Sequence, residues 1–123
     1  MLAGIALSFL AFPDAQAASK IPFDIAAFKA ARDSGKPVVL EIAATWCGPC
    51  QVMKRTVSDL IEKPEFKDVT IFSADYDANK EELKSLNAHK VTTLVLYRNK
   101  QEVERTVGET QAEKIEPLLR KAM

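Results

Sequence analysis

A run of mostly apolar residues, PVVLEIA at positions 37–43, constrains the fold of this chain more than any other segment. Its apolar side chains do not alternate with polar ones, which is typical of a central strand that is covered on both faces. Such a strand needs helices on both sides of its sheet. The 123 residues of the chain are enough for one domain of this kind. The run therefore predicts an α/β fold.

The segments around this strand predict the other elements. Asp24 can cap a first helix that ends near Gly35, since aspartate is favoured before a helix and glycine just after one. The predicted elements are a helix over 24–34, strand 37–43, helix 47–59, strand 69–76, helix 79–86, strands 93–98 and 102–107, and a last helix that is opened by a capping box at 110–113 and kinked or delayed by Pro117. This order predicts a central mixed four-stranded sheet flanked by helices.

Charge and composition exclude several classes of protein. The chain has 17 basic and 17 acidic residues, so it lacks the excess of positive charge that nucleic-acid-binding proteins use. Its 47% hydrophobic and 28% charged residues are typical of a folded domain and exclude a disordered or collagen-like chain. Its two cysteines are too few for a disulfide scaffold, although they can form one local bridge.

The first residues are typical of an export signal. Residues 2–12 are apolar and uncharged but too few to span a bilayer, which takes about 20 residues. Ala15 and Ala17 frame a cleavage site of the small-x-small type. We therefore expect a signal peptide over 1–17, a domain over 18–123, and a periplasmic or otherwise exported protein with no stable membrane insertion after cleavage. The basic start of such a signal is missing, so a first helix of the domain, in a cytoplasmic protein, is the alternative.

The two cysteines, Cys47 and Cys50, stand where the apolar strand passes into the next helix. A helix N-terminus stabilises a thiolate through its unpaired N–H groups and its dipole. Cys47 is therefore predicted to be the nucleophile, and Cys50, one turn further along the helix, the residue that resolves the mixed disulfide. The alternative is a metal centre that binds Cu(I), zinc or a cluster. Zinc takes four ligands, and His89 is the only histidine that could join the two cysteines. Such a centre would therefore need a dimer.

Residues 44–51, ATWCGPCQ, resemble the active-site segment of the thioredoxin family, and the elements after Gly35 follow the order of the thioredoxin fold. The flanking sequences GKP at 35–37 and MKRTV at 53–57 resemble the periplasmic thiol:disulfide interchange branch, namely the thioredoxin-like domain of DsbD-type proteins. The resemblance implies a monomeric protein-disulfide reductase that receives electrons from an upstream thiol donor. It implies no cofactor besides the Cys47–Cys50 disulfide. A non-catalytic module that binds a partner is the other alternative.

The resemblance also implies where substrates bind. The residues expected to contact a substrate lie beside or between the cysteines, or directly before the predicted strand 93–98, which faces them. They are Trp46, Gly48, Pro49, Val91 and Thr92. Thr92 stands where thioredoxins have a cis-proline. A cis bond before a residue other than proline costs about 2.5–4 kcal/mol, so we expect the Val91–Thr92 peptide to be trans.

Glu41 is a carboxylate in the middle of the apolar strand, where burial is costly without a partner or a task. It stands where thioredoxins have a buried aspartate that exchanges protons with the resolving cysteine. Burial would disfavour its charged form, so Glu41 could take the proton of Cys50. The alternative is an edge position or a pairing with a lysine. Ser73 occupies a position where thioredoxins often have a buried lysine.

Overall fold

The computed structural model describes residues 18–123 and, before them, Gly4 alone, so the predicted signal peptide lies outside the described residues apart from that glycine. The strands are β1 (Ser19–Pro22), β2 (Val38–Ala43), β3 (Thr70–Asp75), β4 (Thr93–Arg98) and β5 (Gln101–Val107). The helices are α1 (Ile25–Asp33), α2 (Gly48–Leu60), α3 (Lys80–Ser85) and α4 (Ala112–Ala122), with a short 3-10 helix at Pro64–Phe66. No helix of this part of the chain is long and apolar enough to cross a bilayer.

The predicted α/β architecture is confirmed, with five strands in the sheet rather than four. Their order is β1-β3-β2-β4-β5. Strands β1, β3 and β2 are parallel to one another, whereas β4 is antiparallel to both β2 and β5. The sheet is therefore mixed, and β2 lies at its centre with both edges paired.

Strand β2 is buried along its whole length, as its apolar run predicts. On one face of the sheet, Leu40 lies in a core cluster with Phe28 of α1 and Leu83 of α3. On the other face, Val39 lies in a second cluster with Met53 of α2, and residues of α4 complete it. Helices therefore cover both faces, and the carboxyl end of β2 leads directly into α2.

The first strand, β1, was not predicted from the sequence. Its four residues, SKIP, show no apolar alternation, and Pro22 lacks a backbone N–H. A proline is tolerated in a strand at the edge of a sheet, and β1 is such a strand because it pairs only with β3. This edge position explains why the sequence pattern is weak there. It also brings the side chain of Lys20 beneath α2.

The predicted capping box at 110–113 is wrong. Gln111 is the N-cap of α4, and its side chain makes no capping hydrogen bond. Instead, the carboxylate of Glu109 accepts the backbone N–H groups of Thr110 and Gln111, at 3.0 and 2.9 Å. The hydroxyl of Thr56 on α2 donates to the carbonyl of Thr110 at 2.9 Å, which ties the start of α4 to α2. Pro117 lies inside α4, which continues past it to Ala122.

Candidate active site

Cys47 and Cys50 lie at the carboxyl end of the central strand, where the chain enters α2. Cys47 is the N-cap of this helix, and its Sγ accepts the backbone N–H of Cys50 at 3.3 Å. A disulfide joins the two residues. Cys47 is 6% exposed and Cys50 is fully buried. The predicted position of Cys47 at a helix N-terminus is therefore confirmed, and Cys47 alone of the pair reaches the surface.

Thr92 lies against both sulfur atoms. Its Oγ1 is 3.2 Å from Sγ of Cys47 and 3.1 Å from Sγ of Cys50, and the residue is only 5% exposed. The Val91–Thr92 peptide is trans, as predicted. The φ angle of Thr92 is 52°, in the left-handed region. For a β-branched residue this backbone conformation costs about 1–3 kcal/mol.

Trp46 forms an exposed rim beside the disulfide. Its ring is 64% exposed, and its Nε1 donates to the carboxylate of Asp77 at 2.8 Å. The edge of the ring packs against Tyr76, with 6.3 Å between the ring centroids. The indole therefore has a defined orientation although most of its surface faces solvent.

A groove of about 360 Å³ begins at this rim. Tyr76 and Val91 on its wall also pack against the cluster that contains the two cysteines, so the groove adjoins the disulfide. Gly48 and Pro49 are exposed on the first turn of α2. The five residues predicted to contact a substrate therefore lie around the disulfide. Tyr76, Asp77 and Val107 also lie beside Trp46 or line the groove, and no sequence pattern indicates them. The groove is lined by Trp46, Tyr76, His89, Lys90, Val91 and Val107.

Glu41 is fully buried and is paired with a lysine, which is the alternative left open by the sequence. The ammonium of Lys20 lies 2.9 Å from Oε1 and 3.0 Å from Oε2 of the carboxylate. The hydroxyl of Ser73 donates to Oε1 at 3.2 Å. The carboxylate is thus compensated by one charge and one further hydrogen bond, which is the condition for stable burial of a charged group.

Lys20 links this ion pair to α2. Its ammonium also donates to the carbonyl of Lys54 at 3.3 Å and to the hydroxyl of Ser58 at 3.1 Å. Lys54 and Ser58 lie one and two helical turns after Cys50, so the ion pair contacts the helix that carries the resolving cysteine beyond that residue. The lysine comes from β1, and Ser73, at a position where thioredoxins often have a lysine, contributes its hydroxyl instead.

A cavity of about 250 Å³ adjoins the ion pair. Ser73 both lines this cavity and donates to Glu41, so the carboxylate and the cavity share one neighbouring residue. The other residues of its wall come from the end of β2, from α2 and from β3, and they are Ala43, Ala44, Thr45, Gln51, Lys54, Ala74 and Asp75.

The alternative of a metal centre requires further ligands close to the two cysteines. His89 lies on the wall of the groove. Within residues 18–123, no three His, Cys, Asp or Glu residues are grouped so that they could hold a metal ion.

Comparisons with known proteins agree with this geometry. The profile of the thioredoxin family matches residues 20–121. An H-type thioredoxin from Fagopyrum esculentum is 40% identical over 81 residues, which are 66% of this chain and 68% of that protein. A thioredoxin from Aspergillus fumigatus is 32% identical over 93 residues, which are 76% of this chain and 83% of that protein.

A solved structure extends this similarity to the fold. The crystal structure of Trxlp from Edwardsiella tarda EIB202 superimposes with a TM-score of 0.78 at 36% sequence identity, and the alignment covers 82% of this chain and 98% of Trxlp. Together with the disulfide at the start of α2, these matches show that the chain belongs to the thioredoxin family and is a thiol–disulfide oxidoreductase with Cys47–Cys50 as its redox pair.

Proposed function

We propose that this protein is an exported reductase of protein disulfides, of the periplasmic interchange type, in which Cys47 attacks the substrate and Cys50 resolves the mixed disulfide. The observation that carries the assignment of roles is the asymmetry between the two cysteines. Sγ of Cys47 accepts an N–H group at the helix N-terminus and lies at the surface, whereas Cys50 has no exposed surface. The helix terminus thus favours a thiolate at the sulfur that a substrate can reach.

The reaction consists of two exchanges. The thiolate of Cys47 attacks one sulfur of the substrate disulfide, whose S–S bond breaks as a mixed disulfide forms and the other substrate sulfur leaves as a thiolate. Cys50 then loses its proton and attacks Sγ of Cys47. This step forms the Cys47–Cys50 disulfide and releases the second substrate thiolate. Two electrons pass from the protein to the substrate, so an upstream dithiol must return two electrons before the next cycle.

Glu41 is the proposed acceptor for the proton of Cys50. Its carboxylate is fully buried in the central strand and lies 2.9 Å from the ammonium of Lys20, and a buried carboxylate is a group that can act as a general base. Lys20 also donates to the carbonyl of Lys54, one turn beyond Cys50, and this contact ties the ion pair to the helix that carries the resolving cysteine. Ser73, whose hydroxyl donates to Glu41, also lines the adjoining cavity, and we propose that the proton leaves through this side of the carboxylate.

The groove beside Trp46 is the proposed binding surface for the segment of a substrate that carries its disulfide. Apolar surface from Trp46, Val91 and Val107 lines it. Trp46 and Val107 are 64% and 53% exposed, so two large apolar side chains of the groove present most of their surface to solvent next to each other. Gly48 and Pro49 on the adjoining turn of α2 would allow the backbone of the substrate to approach Cys47 closely.

Export and the reducing direction rest on the sequence. The Cys-Gly-Pro-Cys motif resembles the reducing end of the family, where thioredoxin has a potential near −270 mV against about −120 mV for the oxidant DsbA. We expect that the full chain, expressed in a Gram-negative host, is recovered from the periplasm with Ala18 as its first residue. Cell fractionation and N-terminal sequencing check this. Uncleaved protein in the cytoplasm would contradict export but not the reductase activity.

The asymmetry of the cysteines gives a trapping experiment. We expect Cys50→Ser to accumulate mixed disulfides with protein substrates, because the nucleophile remains and the resolving thiol is absent. Cys47→Ser, the matched control, should trap none. In the reduced wild type, Cys47 should be alkylated much faster than Cys50 near neutral pH, as mass spectrometry can measure.

Equal alkylation rates for the two thiols would contradict the assignment of roles. The same natively purified protein should be analysed for bound zinc and copper. Stoichiometric metal without disulfide reductase activity would support the metal-binding alternative.

The role of Glu41 predicts which step depends on it. Glu41→Gln should slow the decay of the mixed disulfide by about a hundredfold, because a general base is lost, while its formation stays near the wild-type rate. Stopped-flow fluorescence can separate the two steps, since Trp46 is the only tryptophan and adjoins Cys47. Glu62→Gln, at an exposed carboxylate, is the control. An unchanged decay rate would remove Glu41 from the mechanism.

The ion pair also predicts a coupled effect on stability. Glu41→Gln and Lys20→Met should each lower the free energy of unfolding by about 3 kcal/mol, since each leaves the other group without its charge partner. The double variant should lose much less than the sum of the two. Lys63→Met, which removes the exposed Lys63–Glu116 pair, should cost less than about 1 kcal/mol. Chemical denaturation checks these values, and strictly additive losses would show that the two groups are not coupled.

A further inference from the structure

The hydroxyl of Thr92 is a buried donor whose only hydrogen-bonding partners among the described residues are the two sulfur atoms of the active site. In the disulfide neither sulfur carries a hydrogen atom, so the hydroxyl must be the donor in these contacts. The two O···S distances, 3.2 Å to Cys47 and 3.1 Å to Cys50, are nearly equal. A small rotation of the hydroxyl hydrogen is therefore enough to direct it to either sulfur.

We propose that Thr92 is a catalytic residue whose hydroxyl donates a hydrogen bond first to the attacking thiolate of Cys47 and then to the thiolate of Cys50 during resolution. This role goes beyond substrate contact. It rests on the two exchanges described above, in which the negative charge lies on Cys47 before the first attack and on Cys50 before the second.

The physical reason lies in the change of acceptor during the reaction. A neutral disulfide sulfur is a weak acceptor, whereas a thiolate carries a full charge, and hydrogen bonds to charged acceptors are about twice as strong as those between neutral groups. The contact is therefore weak in the oxidised protein and strong while a thiolate is present. The backbone N–H of Cys50 donates a hydrogen bond to Sγ of Cys47 alone, at 3.3 Å. The hydroxyl of Thr92 can donate a hydrogen bond to either sulfur.

The backbone around Thr92 holds the hydroxyl in this position. The other non-glycine residues with positive φ in the described part of the chain are exposed turn residues, namely Asn87, Asn99 and Lys100. Thr92 is instead buried and β-branched, and such residues avoid this conformation. The N–H of Gly108 donates to the carbonyl of Thr92 at 2.7 Å, and the hydroxyl of Thr93 donates to the carbonyl of Val91 at 3.1 Å. These contacts fix a costly conformation that directs the hydroxyl at the sulfurs, a pattern found at functional sites.

The test compares Thr92→Val, which keeps the branched shape but lacks the hydroxyl, with Thr92→Ser, which keeps the hydroxyl. The pH dependence of alkylation of Cys47 by iodoacetamide reports the acidity of its thiol. In Thr92→Val we expect the acid dissociation constant of this thiol to fall about tenfold, as the loss of one hydrogen bond to a charged group implies. The limiting rate at high pH should be unchanged or slightly higher, because the sulfur stays accessible. Thr92→Ser should keep the wild-type profile.

Wild-type acidity in Thr92→Val would overturn the proposal. So would an equal loss in Thr92→Ser, since the effect would then belong to the threonine methyl group or to the backbone. Thermal unfolding of the oxidised proteins shows whether each variant is folded, and Thr92→Ala replaces Thr92→Val under the same criteria if valine is not accommodated. Alkylation uses no protein substrate. If Thr92→Val shows the expected fall in the acidity of Cys47 but the wild-type protein has no disulfide reductase activity, the result would count against the proposed function and not against the role of Thr92.

Discussion

Burial of β2 on both faces is the constraint on which the rest of the molecule depends. An α/β sheet with helices on both sides has its binding and catalytic positions at the carboxyl ends of its parallel strands. Here the central strand ends at Ala43, and four residues later Cys47 caps the next helix. The strand is held by neighbours on both edges and by a cluster on each face, so the position of Cys47 is fixed by the core. The helix terminus then gives that position its chemistry.

The same strand carries the one charge that the core has to accommodate. Glu41 is fully buried, and a carboxylate there would be very unfavourable without compensation. The compensation comes from the edge of the sheet, since Lys20 on β1 extends beneath α2 to reach it. A short strand with little apolar surface of its own is thereby joined to the centre of the domain. The same ion pair therefore holds the edge strand in place and satisfies the buried carboxylate, which explains why Glu41 and Lys20 should be coupled in stability.

The sequence predicts most of the fold because its signals are local. The apolar run gave β2, the capping residue Asp24 gave α1, and the cysteine motif gave the start of α2. The strand β1 was missed because an edge strand of four residues needs no apolar pattern, and with it the partner of Glu41 was missed. The capping box failed because the helix begins one residue later, with Gln111 as its N-cap, and the carboxylate of Glu109 accepts the backbone N–H groups of Thr110 and Gln111 just before it. Both errors concern structure that depends on residues outside the local segment, namely strand β3 in the first case and Glu109 in the second.

During the reaction a negative charge lies first on the sulfur of Cys47 and then on that of Cys50. The N-terminus of α2 can stabilise this charge on Cys47 but much less on Cys50. Its N–H groups stabilise Cys47 at the N-cap, whereas Cys50 lies inside the first turn, where the dipole acts on it less directly. A dithiol that relied on the helix alone would stabilise the attacking thiolate and leave the resolving one in an apolar cluster. Two groups outside the helix can correct this imbalance. In the mechanism proposed above, Glu41 takes the proton that Cys50 must lose, and the hydroxyl of Thr92, 3.1 Å from Sγ of Cys50, stabilises the charge that remains. The resolving step therefore depends on groups outside the helix, whereas the attacking step has the helix terminus as well.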